Sequence, residues 1–199
     1  PSVSALPENA PDCRAAAEWL AAELRRIGAT RVEVSETGGH PIVVGERIED
    51  PTLPTIVIYG HYDVQPPDPL HEWVTGPFEP TERDGNLYAR GTADDKGQLY
   101  LLLKAAELLA AAGELPVNLR VACDGEEEIG GHSIVDWVAQ DTRGADAAVV
   151  FDSGMARRDV PAFNLAVRGL CYLHVFKCGE KRVPERRYCL PGSLNRFPA

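Results

Sequence analysis

The chain has 199 residues, of which 44% are hydrophobic, a content typical of a globular protein with one large domain or one domain and part of another. It carries 30 acidic against 20 basic residues, and the resulting net charge of −10 argues against nucleic acid or an anionic membrane as a partner. The chain has five cysteines but no C-x-x-C pair, which favours reduced thiols. It has no apolar run near the roughly 20 residues of a membrane span and no visible signal peptide. Together these features predict a cytoplasmic protein.

The first half of the chain predicts a helix followed by three short strands. Asp12 is expected to cap the helix, whose apolar residues recur at helical spacing as far as Gly28. The strand-like runs follow at 31–34, 41–44 and 55–59. A polar loop rich in proline and glycine then occupies 65–90, and a loop of that length suggests a function.

The second half alternates helices with strands. The apolar pattern predicts a buried helix over 96–112, a strand over 117–123, a helix near 132–139 and a strand over 147–151. This alternation favours an α/β layered sheet. From 163 to 176 the chain has strand-like segments with no helix between them, which indicates the start of a different module.

A His-Asp pair ends the third predicted strand, in the stretch "TIVIYGHYDVQP". Residues i and i+2 of a strand face the same way, so His61 and Asp63 are expected to project together. This geometry suits a metal-binding imidazole whose other nitrogen donates to a carboxylate. A hydrogen-bonded histidine at the end of a strand is the alternative interpretation.

Three acidic stretches favour the metal interpretation. "ARGTADDKG" places Asp94 and Asp95 side by side, and neighbouring carboxylates repel unless a cation, a proton or a helix N-terminus compensates. Helix capping by Asp95 would explain only one of the two.

The other two acidic stretches follow predicted strands, where an α/β sheet commonly places its active site. "CDGEEEIGG" carries Asp124, Glu126, Glu127 and Glu128, and "VVFDSG" carries Asp152. A solvated loop and a turn aspartate are the respective alternatives. One histidine and several carboxylates at one sheet edge predict a site for zinc, manganese or cobalt.

These motifs, "GHYDVQP", "ARGTADDKG", "GEEEIG" and the isolated "FD", resemble in order and spacing those of a family of two-metal peptidases. The family includes carnosinase-type dipeptidases, aminoacylase, glutamate carboxypeptidase and succinyl-diaminopimelate desuccinylase. The resemblance covers roughly residues 1–173, and the loop with "W…PFEP" is most similar to the carnosinase-type dipeptidases.

The resemblance implies an α/β fold in which a mixed sheet is covered by helices and interrupted by a lid domain. Residues 1–163 would then form the N-terminal part of the metallopeptidase catalytic domain. Residues 164–199 would begin the lid, which also mediates homodimer formation in the full-length form. After 182 the chain reads "VPERRYC" where relatives resemble "DLHSG", so the lid segment is expected to be divergent or truncated there.

The resemblance also implies a role for each matching residue, and a non-proline cis peptide between Asp94 and Asp95. The implied metal ligands are His61 and Asp152 at the first metal, Glu128 at the second and Asp94 between them, with Asp63 orienting His61 and Glu127 as general base. Two divalent ions, zinc first with manganese or cobalt as alternatives, would lie about 3.5–4 Å apart and polarise the scissile carbonyl. In this chain the first site would be nearly complete with water, while the second would have only Asp94 and Glu128.

The implied reaction is hydrolysis of the amide bond of dipeptides or N-acyl amino acids. The expected partner is therefore a small peptide or an N-acyl amino acid. Two alternatives stay open at this point: a deacylase of the desuccinylase or acetylornithine type, and an inactive remnant that binds metal.

Overall fold

The computed structural model describes residues 1–160, 162 and 164. The chain divides into two compact units, Pro1–Gly154 and Met155–Ala199. Every element described below belongs to the first unit. Almost all of the predicted lid segment, 164–199, lies outside the described residues.

A five-stranded mixed sheet forms the centre of the first unit, as predicted. In chain order, its strands are β1 (Arg31–Ser35), β2 (Ile42–Arg47), β3 (Thr55–His61), β6 (Asn118–Asp124) and β7 (Ala147–Val150). The spatial order is β1-β2-β6-β3-β7, with β3 parallel to both of its neighbours and β2 antiparallel to both of its own. The long loop contains a separate hairpin of β4 (Thr81–Arg83) and β5 (Asn86–Tyr88).

Three α-helices accompany the sheet: α1 (Ala10–Arg26), α2 (Lys96–Ala111) and α3 (Ser133–Gln140). The expected cap at Asp12 is wrong, because α1 already begins at Ala10 and Asn9 occupies the N-cap position. Pro11 fits the first turn of a helix, where its missing N–H is not needed. Asp12 instead accepts a hydrogen bond from the Asn9 side chain at 2.8 Å.

Two apolar cores lie on opposite faces of the sheet. The larger one packs α1 and α2 against strand residues such as Val43, and the smaller one packs Ile134 of α3 against Ile42 and Val44. Neighbouring residues of β2 thus enter different cores, as the period of two in a strand requires. All seven residues of β6 are buried, which is typical of a strand covered on both faces. None of the helices in the described part of the chain is long and apolar enough to cross a membrane.

The parallel register brings three strand ends to one edge of the sheet. His61 pairs with Asp124 across β3 and β6, and Tyr59 pairs with Val150 across β3 and β7. Two residues further along, the chain after β7 reaches Asp152. The polar residues that follow the three parallel strands are therefore neighbours in space, although they are far apart in sequence.

Candidate metal centre

His61 is the last residue of β3, and its side chain is fully buried. The residue before it must be small. A Cβ atom on Gly60 would lie 2.8 Å from Asp95 Oδ2 and 3.0 Å from Leu99 Cδ1. Glycine therefore lets the start of α2 approach β3 closely at the base of the site.

The two ring nitrogens of His61 have different partners. Nδ1 lies 3.2 Å from Asp63 Oδ1 and 3.1 Å from the Asp63 carbonyl oxygen. Nε2 lies 3.1 Å from Asp94 Oδ1. An Nδ1–H that donates to Asp63 leaves Nε2 as the nitrogen with a free lone pair, which is the arrangement of a metal-binding histidine.

Two more carboxylates lie within about 4 Å of His61 Nε2. Asp152 Oδ2 lies 3.9 Å from His61 Nε2, and Glu127 Oε2 lies 4.0 Å from it. His61, Asp94 and Glu128 each offer a ligand atom, and these three atoms lie within 4.8 Å of one another. The structure therefore brings all the residues predicted as metal ligands to one place.

Asp94 and Asp95 take separate roles. Their peptide bond is cis, as the resemblance implies. The Asp95 carboxylate turns inward, where Oδ2 accepts the His61 N–H at 3.1 Å and Oδ1 has no hydrogen-bond partner among the described residues. Asp95 occupies the N-cap position of α2, but its side chain makes no capping hydrogen bond. Burial raises the pKa of Asp95 to about 6.

The four acidic residues at the end of β6 and just after it form two groups, one buried and one facing the centre. Asp124 and Glu126 are buried: Asp124 accepts the Glu126 N–H at 3.0 Å, and Glu126 accepts a hydrogen bond from the hydroxyl of Ser133 at the start of α3. Glu127 and Glu128 face the centre instead. The solvated-loop alternative is therefore wrong for the first two residues, which hold the loop itself together.

Two polar residues that the sequence analysis missed contact the centre. Ser4 Oγ donates to Asp63 Oδ2 at 2.6 Å, and the Glu128 N–H donates to the same oxygen at 3.1 Å. Gln65 Nε2 donates to the Glu128 carboxylate at 2.7 Å. Gln65 could have been found by the period of two, since it is two residues beyond Asp63. Ser4 carried no such signal, because it comes from a distant segment of the chain.

The charges at the centre are strongly unbalanced. Among the described residues, no lysine or arginine forms an ion pair with Asp94, Glu127, Glu128 or Asp152. Burial raises the pKa of Glu127, while neighbouring His61 lowers it, and burial likewise raises the pKa of Glu128. Burial alone would lower the pKa of His61, but surrounding carboxylates, Asp63 first, raise it to about 10.

This donor set fits divalent cations. Clustered carboxylates that no lysine or arginine neutralises are stabilised by a cation, and one imidazole with several carboxylates suits zinc, manganese or cobalt. His61 is buried at the base of the cluster, while the Asp94 and Glu127 side chains are exposed.

The sequence is similar to those of known metal-dependent peptidases. Residues 57–167 match the family described as "Peptidase family M20/M25/M40". The chain is 34% identical over 180 residues to Beta-Ala-His dipeptidase of Rattus norvegicus, covering 81% of the chain and 36% of that protein. It is 31% identical over 191 residues to the Cys-Gly metallodipeptidase dug1 of Schizosaccharomyces pombe, covering 88% of the chain and 40% of that protein.

The fold is also similar to that of a solved structure. The crystal structure of human carnosine dipeptidase 1 superposes with a TM-score of 0.70 at 30% identity, over 87% of this chain and 38% of that one. The chain thus spans 36% to 40% of the length of the proteins that it matches here. Residues 57–167, which match the family, contain most of β3 and all of β6 and β7, together with the carboxylates that follow these strands.

Proposed function

Because the chain belongs to peptidase family M20/M25/M40, we propose that it carries the metal centre of a dipeptidase that hydrolyses an amide bond. The observation that supports this proposal best is the environment of His61. Its Nε2 lies between the carboxylates of Asp94, Glu127 and Asp152, at the edge where three parallel strands end.

Each residue of the centre has a proposed place. His61, Asp94 and Asp152 would hold one cation, and Asp94 and Glu128 would hold the second. The cations, zinc first with manganese or cobalt as alternatives, supply polarisation of the scissile carbonyl and activation of a water molecule when bound.

The chain itself supplies proton transfer and orientation. Glu127 is the proposed general base, because its partly exposed carboxylate lies 4.0 Å from His61 Nε2 beside the donor cluster, and partial burial raises its pKa. It would take the proton of water and deliver it to the leaving amine. Asp63 holds His61 Nδ1–H, and Asp95 holds the His61 main chain, so the imidazole is oriented before any cation binds.

The proposed substrates are dipeptides. Both curated relatives are named for dipeptides, β-Ala-His and Cys-Gly. A dipeptide places its scissile carbonyl close to both of its charged ends, which suits a compact centre that is open on one side. These two dipeptides are therefore the first substrates to test.

The first experiment measures the zinc content of the purified 199-residue chain by elemental analysis, after zinc exposure and removal of the excess. We expect about one to two equivalents, as a mononuclear or dinuclear site holds. Asp94→Ala should lose most of this zinc, because Asp94 is the carboxylate closest to His61 Nε2. Asp136→Ala, at an exposed position of α3, is the matched control and should keep it. Zinc-free wild-type protein would overturn the proposal.

The second experiment measures hydrolysis of the two dipeptides and of an N-succinyl amino acid by zinc-loaded protein. Glu127→Gln should lower kcat by about 100-fold or more while zinc content is unchanged. Cleavage of the N-succinyl compound alone would identify a deacylase. Bound zinc without hydrolysis of any of them would identify a metal-binding remnant.

A further inference from the structure

We propose that Ser4 is a positioning residue of the metal centre, whose hydroxyl holds Asp63 in the orientation that directs His61 toward a metal ion. This inference rests on the proposed function, since it requires that His61 bind a cation. Ser4 belongs to the N-terminal segment Ser2–Ser4, which lies more than fifty residues from β3 in the sequence.

The two oxygens of the Asp63 carboxylate have different hydrogen-bond partners. Its Oδ1 lies 3.2 Å from His61 Nδ1, and its Oδ2 accepts the Ser4 hydroxyl at 2.6 Å. Asp63 is fully buried and Ser4 is nearly so, so water does not replace this donor. Without the hydroxyl, Oδ2 would keep only the Glu128 N–H at 3.1 Å, and the carboxylate could rotate away from the imidazole.

The position of Ser4 is itself set by main-chain contacts. Val3 forms a parallel bridge with Val64, and the Val64 N–H donates to the Ser2 carbonyl oxygen at 3.0 Å. The Ser4 carbonyl oxygen lies 3.1 Å from His40 Nε2. None of these contacts involves a proposed metal ligand, so the hydroxyl is in place before a metal ion binds.

Loss of the hydroxyl has a predictable consequence. A buried carboxylate that loses one of its donors is destabilised, and its remaining hydrogen bonds become less well defined. His61 would then no longer be held with Nε2 directed at the metal. Removal of the hydrogen-bond partner of a ligating histidine typically lowers metal affinity by about 10- to 100-fold, and Ser4 acts on His61 only through that partner, so its loss should lie at the lower end of this range.

Ser2 provides a closely matched control. It is buried as well, and its hydroxyl donates at the same distance, 2.6 Å, but the acceptor is the Tyr62 carbonyl oxygen rather than a side chain of the centre. Ser2→Ala and Ser4→Ala therefore remove the same group from the same segment. Only Ser4→Ala removes a contact to Asp63.

The test measures zinc affinity by competition with a chelator, and the visible absorption spectrum of the cobalt-loaded chain, for wild type and variants. We expect Ser4→Ala to bind zinc about 10-fold more weakly with an altered cobalt spectrum, and Ser2→Ala to match wild type in both. Ser4→Thr, which keeps the hydroxyl, should bind within about threefold of wild type. If Ser4→Ala does not fold, Ser4→Cys, of similar size but with a weak donor, takes its place.

The outcomes separate this inference from the proposed function. Wild-type affinity and spectrum in Ser4→Ala would overturn the role of Ser4 and leave the metal centre intact. An equal loss in Ser2→Ala and Ser4→Ala would also overturn it, because the segment would then matter only for folding. Failure of wild-type protein to bind zinc would overturn both.

Discussion

Replacement of Gly60 by alanine tests the close approach of α2 to β3 at the base of the centre. The added Cβ would lie 2.8 Å from Asp95 Oδ2, 3.0 Å from Leu99 Cδ1 and 3.2 Å from Leu99 Cβ. Asp95 cannot move freely, since its carboxylate holds the His61 N–H. Leu99 cannot either, since it belongs to the core and to the first turns of α2.

Two opposing effects decide the size of the change. Overpacking of a buried site costs about 1–3 kcal/mol, and a Gly→Ala change stabilises by about 0.4–1 kcal/mol through the unfolded chain. The net effect at Gly60 is a destabilisation of about 1–2 kcal/mol. With an m-value of about 2 kcal/mol per M, the urea midpoint should fall by about 0.5–1 M.

The assay is urea unfolding in the presence of a chelator, followed by zinc titration of the folded variant. Gly38→Ala is the control, because an added Cβ at Gly38 meets nothing within 4 Å. The control should unfold at or slightly above the wild-type midpoint. A Gly60→Ala protein as stable as the control, with unchanged zinc affinity, would refute the proposed close contact between Gly60 and Asp95.

Two further predictions concern the core and the outer contacts of the centre. Leu103→Ala should destabilise the chain by about 2–5 kcal/mol in urea unfolding, since Leu103 is only 1% exposed. Leu101 is 61% exposed on the same helix, so Leu101→Ala should change stability by about 0.5 kcal/mol or less. Similar losses in both variants would contradict the assignment of the core-facing side of α2. Gln65→Met keeps the size of the side chain but removes its hydrogen-bond donor. This variant should bind zinc about threefold more weakly in a chelator competition, because Gln65 donates to Glu128, the proposed ligand of the second cation. Unchanged affinity would show that this exposed contact does not orient the ligand.

Local patterns in the sequence predicted most of the elements. The five strands of the central sheet and the two later helices begin and end within three residues of their predicted bounds, because apolar periodicity is a property of each segment alone. The hairpin of β4 and β5 was missed, since its two strands lie in the stretch 65–90 that was predicted to be a loop. The start of α1 was missed, since Asn9, Pro11 and Asp12 are all compatible with the first turn of a helix.

The sequence by itself also placed His61 and Asp63 on one face and carboxylates after the predicted strands, because the period of a strand and the position of a residue at its end are properties of one segment. Only the tertiary structure decided which acidic side chains face the centre. Asp95 turns inward where Asp94 does not, and Glu126 accepts a hydrogen bond from the Ser133 hydroxyl whereas Glu127 faces the centre, although each pair is chemically alike.

The contribution of Ser4 was likewise decided by the fold. A serine near the start of the chain carries no local sign of its partner, and its contact with Asp63 exists only because Val3 pairs with Val64. The sequence therefore determined which chemistry is present at the strand ends. Strand register and helix packing join residues far apart in the chain. They determined which side chains face the metal centre and which ones hold those side chains in place.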